Sequence, residues 1–154
     1  LDVPLKIVGT GPELARLQAM AGPNVEFTGA LDPEALRDAY RRAQALVLPA
    51  AEDFGIVPVE SLACGRPVIA LGHGGATETV VPGETGLLVD RNTPDAFADA
   101  MSEAGRRSFD LSAMRARAET FGRERFESAF ASLVAETYTP LTRRSDIGAK
   151  TAEC

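Results

Sequence analysis

The sequence has little that could build a disulfide framework, a metal centre or a membrane span. Its 154 residues include two cysteines, Cys64 and Cys154, and one histidine, which are too few for a disulfide-stapled fold or a histidine–cysteine zinc site. No apolar run approaches the ~20 residues that a membrane-spanning helix requires, and no signal-peptide pattern opens the chain. These absences predict a cytoplasmic protein with an ordinary apolar core.

The chain also lacks an excess of positive charge. The 16 lysines and arginines are outnumbered by 22 aspartates and glutamates, which gives a formal net charge of −6. A protein that binds nucleic acid through its phosphates concentrates lysine and arginine on one face. The arginines here alternate with acidic residues, so we expect them to lie on solvated helix faces and predict that nucleic acid is not a partner.

What the sequence does contain is a regular alternation of short apolar runs with helical patterns. The apolar runs lie at 5–8, 25–28, 45–48, 68–71 and 87–89. This alternation predicts an α/β domain with a doubly wound, mainly parallel sheet and helices on both faces. Because parallel crossovers are right-handed, the turns after the strands collect at one edge, where such sheets bind ligands.

The C-terminal part of the chain is less regular. Residues 126–138 have the pattern of an amphipathic helix, and we expect Pro140 to end it because proline interrupts the hydrogen-bonded backbone. The residues that follow include few apolar side chains and show no clear period. We therefore predict one domain over residues 1–140 and a mobile tail over 141–154.

One segment, residues 49–67, concentrates candidate binding residues between the third and fourth predicted strands. Pro58 is tolerated only in the first turn of a helix, so a helix should begin near Ile56, with Glu60 about one turn inside it. Glu52 lies in the preceding turn. Two carboxylates therefore flank the free N–H groups of a helix start at the carboxyl end of a strand, an arrangement suited to binding a small molecule.

The same segment resembles a known family. Glu52 and Glu60 form an E-x7-E pattern that encloses Phe-Gly-Ile-Val at 54–57 and precedes Ala-Cys-Gly-Arg-Pro-Val-Ile-Ala at 63–70. In this the chain resembles the retaining GT-B glycosyltransferases of group 1 (family 4). The resemblance covers roughly residues 5–138 and implies the donor-binding C-terminal half of such an enzyme, a Rossmann-like domain.

The resemblance also implies missing parts. In the family this half opens with a further strand and helix, whose loop supplies a basic pair to the donor diphosphate, and an N-terminal domain binds the acceptor. The sequence shows neither. The first strand is central in the doubly wound order, so its absence should leave a gap in the sheet between the strands at 5–8 and 45–48.

The resemblance assigns roles to individual residues. A carboxylate can accept hydrogen bonds from both hydroxyls of a ribose, and by resemblance this carboxylate is Glu60, whereas Glu52 would meet the transferred sugar as the catalytic residue. The alternative is that neither carboxylate has a binding role: Glu60 would only favour the helix N-terminus, and Glu52 would be a solvated loop charge. The resemblance further implies donor contacts at Phe54, Gly55, Ile56, Val57 and Leu31, the last through backbone groups facing the base.

Gly9 and Gly11 follow the first predicted strand as a G-x-G and complete the set of candidate donor-binding residues. Leu14 stands where a dinucleotide-binding turn would have its third glycine, and the Lys and hydroxyl pair of a P-loop is absent. The two glycines are equally explained as a sharp turn from strand to helix. His73 is the only histidine, and it could act as a base only if a reacting proton lay within reach. A metal site would need further ligands, and because the sequence has no second histidine or paired cysteines we expect no bound metal.

The resemblance implies transfer of a sugar from a nucleoside diphosphate sugar to a hydroxyl acceptor, with retention of configuration and without a cofactor. We expect the chain alone to be inactive, because the cationic pair and the acceptor domain are missing. Two other hypotheses stay open: a stand-alone nucleotide or phospho-sugar binder, and a sugar-nucleotide 2-epimerase on the same fold. The acceptor is undetermined, and association of the whole enzyme with a membrane surface is left open.

Overall fold

The structure is a computed structural model that describes residues 2–142, with side chains described through Tyr138. Within this part of the chain, one compact unit extends to Ala118 and a second begins at Glu119. The first unit holds the strands and the predicted site. In the part of the chain that the structure describes, none of the helices combines the length and the apolar character needed to cross a membrane.

Strands and helices alternate along the chain, as predicted. The strands of the described residues are β1 (Leu5–Val8), β2 (Val25–Gly29), β3 (Leu46–Leu48), β4 (Val68–Leu71) and β5 (Gly86–Val89). The helices are α1 (Leu14–Met20), α2 (Pro33–Arg42), α3 (Ile56–Ala63), α4 (Ala76–Thr79), α5 (Pro94–Ala104), α6 (Leu111–Glu119) and α7 (Arg123–Thr142).

All strand pairs are parallel, and they form two separate sheets. β1 pairs with β2, while β4 lies between β3 and β5. No ladder joins β1 to β3 among the described residues, so the predicted gap in the sheet is confirmed. Within each sheet the loops that follow the strands share one edge, because parallel strands all point the same way.

The three-stranded sheet is covered on both faces. Its central strand, β4, is buried along its whole length, as is typical of a strand inside a parallel sheet. Val68 and Ala70 pack in a cluster with residues of α3, α4 and α6. Ile69 and Leu71 pack in a second cluster with Phe97 of α5. Since alternate side chains of a strand point to opposite faces, helices enclose this sheet from both sides.

The two-stranded sheet is much less enclosed. Leu5 and Val8 of β1 are exposed, α1 has no buried residue, and Met20 is 71% exposed. The helix predicted after Gly11 does form. Its apolar side chains remain accessible because two strands offer too little surface to cover a helix.

The helix starts agree with the sequence signals. Asp32 caps α2 by accepting hydrogen bonds from the N–H groups of Glu34 and Ala35 at 3.0 and 2.8 Å, and Pro33 occupies the first position of the helix. Thr93 and Pro94 begin α5 in the same way. Each cap satisfies N–H groups that a helix start leaves without a backbone partner.

The helix ends and one short helix differ from the predictions. α4 was not predicted, because four residues are too few to show a helical period. The prediction that Pro140 ends the last helix is wrong, since α7 continues to Thr142. The proline ring holds φ near a helical value, so the backbone can continue for the short remaining stretch. The predicted tail lies, from residue 143 onward, outside the described residues.

Candidate functional site

The loop between β3 and α3 carries Glu52 and ends at Gly55. Gly55 is the N-cap of α3 and has a left-handed backbone conformation with φ 79°. Residues other than glycine rarely adopt this conformation. The helix then begins at Ile56, as predicted, and no side chain caps it. Phe54 and Ile56 are exposed, and Val57 is partly buried. The loop therefore presents an uncapped helix start beside Glu52.

The loop after β4 is fastened to the Glu52 loop by its backbone. The N–H of Gly75 donates to the carbonyl of Glu52 at 2.6 Å, and Glu52 and Gly74 form an isolated parallel bridge. A Cβ on Gly74 would overlap the carbonyl oxygen of Glu52, and one on Gly75 would overlap that of Phe54. Only glycine fits at these two positions, so the pair Gly74–Gly75 holds residues 52–54 in place.

Glu52 itself is partly buried, and its backbone carbonyl is the acceptor for Gly75. Among the described residues, no hydrogen bond or ion pair engages its carboxylate. The loop thus fixes the backbone of Glu52 and leaves its side chain available to a ligand.

The loops after β1 and β2 are also joined by glycine backbone. The N–H of Gly9 donates to the carbonyl of Gly29 at 2.8 Å, and the carbonyl of Gly11 accepts from Leu14 as the chain turns into α1. A Cβ at Gly9 or Gly11 would meet nothing within 4 Å, so the space beside both glycines is open. Leu31 is partly buried in the loop that leads into α2.

Glu60 is held by a residue from a different helix. The phenol of Tyr40, in α2, donates a 3.0 Å hydrogen bond to Oε2 of Glu60, in α3. Burial, followed by the hydrogen bond and the negative charge of Glu60, raises the pKa of the Tyr40 phenol above its ordinary value. The phenol therefore stays neutral, and able to donate, throughout the neutral pH range.

A second link joins α2 to the end of α3. The guanidinium of Arg66 donates to the backbone carbonyl of Arg41, the residue after Tyr40. Arg66 is itself held at its backbone, where its N–H donates to the carbonyl of Ser61 at 2.9 Å and its carbonyl accepts from the Ser61 hydroxyl at 3.1 Å. Two side chains therefore fix the C-terminal end of α2 against α3 and the turn that follows it.

The predicted site residues all lie in loops after strands or in the first turns of α3. The structure ties Glu52 to Gly74–Gly75 and Gly9 to Gly29, and it holds Glu60 through Tyr40. His73 is exposed in the loop after β4. No group of three or more His, Cys, Asp or Glu residues that could hold a metal occurs in the described chain.

Tyr40 and Arg66 are not among the site residues predicted from the sequence. The sequence offers one signal for Tyr40: it follows Leu36 by four residues, which places both on the same face of a helix. A tyrosine that is buried on an apolar face usually finds a partner for its hydroxyl. Which partner it finds depends on how α2 packs against α3, and residue spacing does not encode that. Arg66 gave no comparable signal.

A family model described as glycosyl transferases group 1 matches residues 2–106. The chain belongs to this family. The match confirms the resemblance drawn from the E-x7-E segment, and it covers every element of the site, from the loop after β1 to the loop after β4. The loops that form the candidate site of this group-1 glycosyltransferase chain therefore all lie within the region that matches the family.

Two relatives carry glycosyltransferase names. A GDP-mannose-dependent alpha-(1-6)-phosphatidylinositol monomannoside mannosyltransferase from Mycolicibacterium smegmatis is 38% identical over 115 residues, which cover 66% of this chain and 30% of that protein. A D-inositol 3-phosphate glycosyltransferase from Acidothermus cellulolyticus is 42% identical over 98 residues, or 60% of this chain and 21% of that protein. The chain therefore spans less than a third of the length of these curated relatives.

A solved structure shares the fold. A sucrose-phosphate synthase from Thermosynechococcus elongatus superposes with a TM-score of 0.62 and 33% sequence identity, covering 91% of this chain and 39% of that one. The Rossmann-like α/β arrangement of the group-1 chain is thus also found in the solved structure of a longer enzyme.

Proposed function

We propose that this chain is the donor-binding half of a glycosyltransferase that moves a sugar from a nucleoside diphosphate sugar to a hydroxyl of an acceptor, with retention of configuration. The observation that carries the proposal is the arrangement of Glu52 and Glu60 around the uncapped start of α3, in a chain of the group-1 family. The names of both relatives, one of which includes GDP-mannose, support a sugar transferase.

Glu60 is proposed to bind the ribose of the donor. An ionised carboxylate offers about four lone-pair positions, and Tyr40 occupies one of them on Oε2. The remaining positions are sufficient for the two ribose hydroxyls, and hydrogen bonds to a charged acceptor are stronger than neutral ones. The nucleoside would therefore lie along the start of α3, with its ribose at Glu60.

Glu52 is proposed to meet the transferred sugar and to be the catalytic carboxylate. Its backbone is fixed by Gly75, and no other described group engages its side chain. The backbone N–H groups at Phe54, Gly55 and Ile56 would assist it. A carboxylate at this place can stabilise positive charge that develops on the sugar as the leaving group departs.

The departing diphosphate needs compensation for its negative charge. The N-terminus of α3 supplies part of it, because aligned peptide dipoles place partial positive charge at a helix start. No side chain caps α3, so its first N–H groups would be available to donate to the diphosphate. We propose that cations from elsewhere in the whole protein supply the rest and that the chain alone is inactive.

The base of the nucleotide is proposed to lie beside the loops after β1 and β2. Backbone groups at Leu31 would contact the base, and the open space beside Gly9 and Gly11 would admit the nucleotide close to the backbone. We propose, as the resemblance implies, that the reaction needs no cofactor besides the donor itself. This half of the site would determine which base is accepted.

Product analysis with a labelled donor tests the reaction. The complete protein would be incubated with GDP-mannose or UDP-glucose carrying a labelled sugar, with and without a hydroxyl acceptor. A transferase moves label to the acceptor with the anomeric configuration unchanged. A 2-epimerase would instead return an isomerised donor without acceptor, and a stand-alone binder would bind the nucleotide without forming any product; either result would refute the proposed reaction.

A further inference from the structure

We propose that Tyr40 is a positioning residue whose hydroxyl orients the Glu60 carboxylate for the ribose of the donor. The inference rests on the proposed function, since it takes Glu60 as the ribose-binding group. It adds to that function a residue from α2 that lies outside the E-x7-E segment. Tyr40 and Glu60 are 20 residues apart in sequence and belong to consecutive strand–helix units.

The geometry of the contact is that of a direct hydrogen bond. The 3.0 Å distance from the Tyr40 hydroxyl to Oε2 of Glu60 is within the range for an O–H group donating to oxygen. Glu60 is otherwise exposed, and an exposed glutamate samples several rotamers that must be restricted when it binds a ligand. A hydrogen bond that selects one rotamer beforehand lowers the entropic cost of binding.

The contact also leaves the carboxylate competent to bind. Tyr40 engages only Oε2, so Oε1 and the second lone pair of Oε2 remain for two ribose hydroxyls. A lysine or arginine partner would neutralise the carboxylate and compete for both of its oxygens. A neutral phenol orients the group while leaving its charge intact.

Tyr40 and the residue that follows it both make hydrogen bonds to α3 or to the turn after it. Tyr40 is partly buried, and the guanidinium of Arg66, in the turn after α3, donates a hydrogen bond to the carbonyl of the adjacent Arg41. Burial raises the pKa of the Tyr40 phenol, so the hydroxyl keeps its proton at neutral pH. A supporting hydrogen bond of this kind is what a precise binding group requires.

Tyr40→Phe tests the proposal because it keeps the ring and removes only the hydroxyl. In the complete protein, with GDP and UDP as probes, we expect the dissociation constant of the bound nucleotide to rise about threefold to tenfold, the value of one net hydrogen bond. The same substitution in a Glu60→Ala background should change the constant by less than about twofold, because coupled residues are not additive.

A second probe separates positioning from a merely structural role. The 2′,3′-dideoxy forms of the same nucleotides lack both ribose hydroxyls, so Tyr40→Phe should leave their dissociation constants within about twofold of wild type. A structural role would weaken all probes alike. The thermal midpoint of each variant controls for folding, and Tyr40→Met, which refills the space with an adaptable side chain, serves if the phenylalanine variant does not fold.

The outcomes are distinguishable. Equal weakening with ribose and dideoxy probes, or equal weakening in the Glu60→Ala background, would overturn the positioning role. If Glu60→Ala weakens nucleotide binding and Tyr40→Phe does not, this inference fails and the proposed function stands. If Glu60→Ala has no effect, the ribose assignment fails, and the role of Tyr40 fails with it.

Discussion

The backbone N–H of Gly75 donates to the carbonyl of Glu52 across 2.6 Å, so the loop after β4 fixes the loop after β3. The two residues are 23 positions apart in sequence and follow neighbouring parallel strands. The site is therefore held by contacts between adjacent loops as well as by the helix that each loop enters.

Replacing Gly75 by alanine should damage the site without dismantling the sheet. The added Cβ would overlap the carbonyl of Phe54, and relief requires residues 52–54 to move. We expect a loss of stability of about 1–3 kcal/mol, typical of overpacking, and a donor affinity at least about tenfold weaker, since a small misplacement of binding groups has large effects. Calorimetric titration with donor and a thermal unfolding curve measure both.

Gly105→Ala is the matched control for Gly75→Ala. Gly105 has φ −65°, and the nearest atom to an added Cβ is the carbonyl oxygen of Met101 at 3.6 Å, an ordinary contact. This variant should keep wild-type donor affinity. Equal effects of the two substitutions would show that the crowding at Gly75 does not matter to the site.

Glu52→Gln should separate catalysis from nucleotide binding. The substitution keeps the size of the side chain and removes the charge proposed to face the sugar. We expect the transfer rate to fall about 100-fold or more, as when a stabilising group at the reacting centre is lost. The dissociation constant of the nucleoside diphosphate without its sugar should change little, because Glu52 is not proposed to touch the nucleoside.

Glu84→Gln is the control for that experiment. Glu84 is exposed and precedes β5, so it lies at the opposite end of the parallel strands from the proposed site. The sugar-transfer rate of the Glu84→Gln variant should equal that of the wild-type protein. A Glu52→Gln enzyme that keeps the wild-type rate would remove Glu52 from the mechanism.

The raised pKa of the Tyr40 phenol should make the stability of the protein depend on alkaline pH. Burial and the neighbouring Glu60 raise the pKa of this phenol in the folded chain, whereas the pKa of a tyrosine in an unfolded chain is about 10. The contribution of Tyr40 is therefore fully present below about pH 10 and is lost progressively above it. Tyr40→Phe removes this dependence.

Denaturant unfolding between about pH 8 and 11 would measure this contribution, as the difference in the free energy of unfolding between wild type and Tyr40→Phe. The wild-type protein should lose more stability than the variant as the pH rises through this interval. Parallel curves for the two proteins would contradict the raised pKa of the phenol.

The sequence was sufficient to predict elements whose local chemistry is decisive. Pro58 is tolerated only in a first turn, and α3 begins at Ile56 as that predicts. The same is true of α2, where Asp32 and Pro33 provide the cap and the first residue. The division of the sheet could also be predicted, because the strand order of the resembled fold places a further strand between β1 and β3, and no ladder joins these two strands in the described part of the chain.

Contacts between distant segments could not be predicted from spacing. The glycine pair Gly74–Gly75 was visible in the sequence, but its crowding against the backbone of Glu52 and Phe54 depends on two loops meeting. The contact between Tyr40 and Glu60 likewise requires α2 and α3 to be neighbours. Patterns predict elements and faces, whereas such pairings arise only when the elements pack.

The most direct test of the central claim is the affinity of the complete protein for its nucleoside diphosphate sugar when Glu60 is replaced by alanine, with Glu84→Ala as the matched control. Loss of hydrogen bonds to a charged acceptor predicts a dissociation constant about 10- to 100-fold higher for Glu60→Ala and no change for Glu84→Ala. An unchanged dissociation constant for Glu60→Ala would contradict the account.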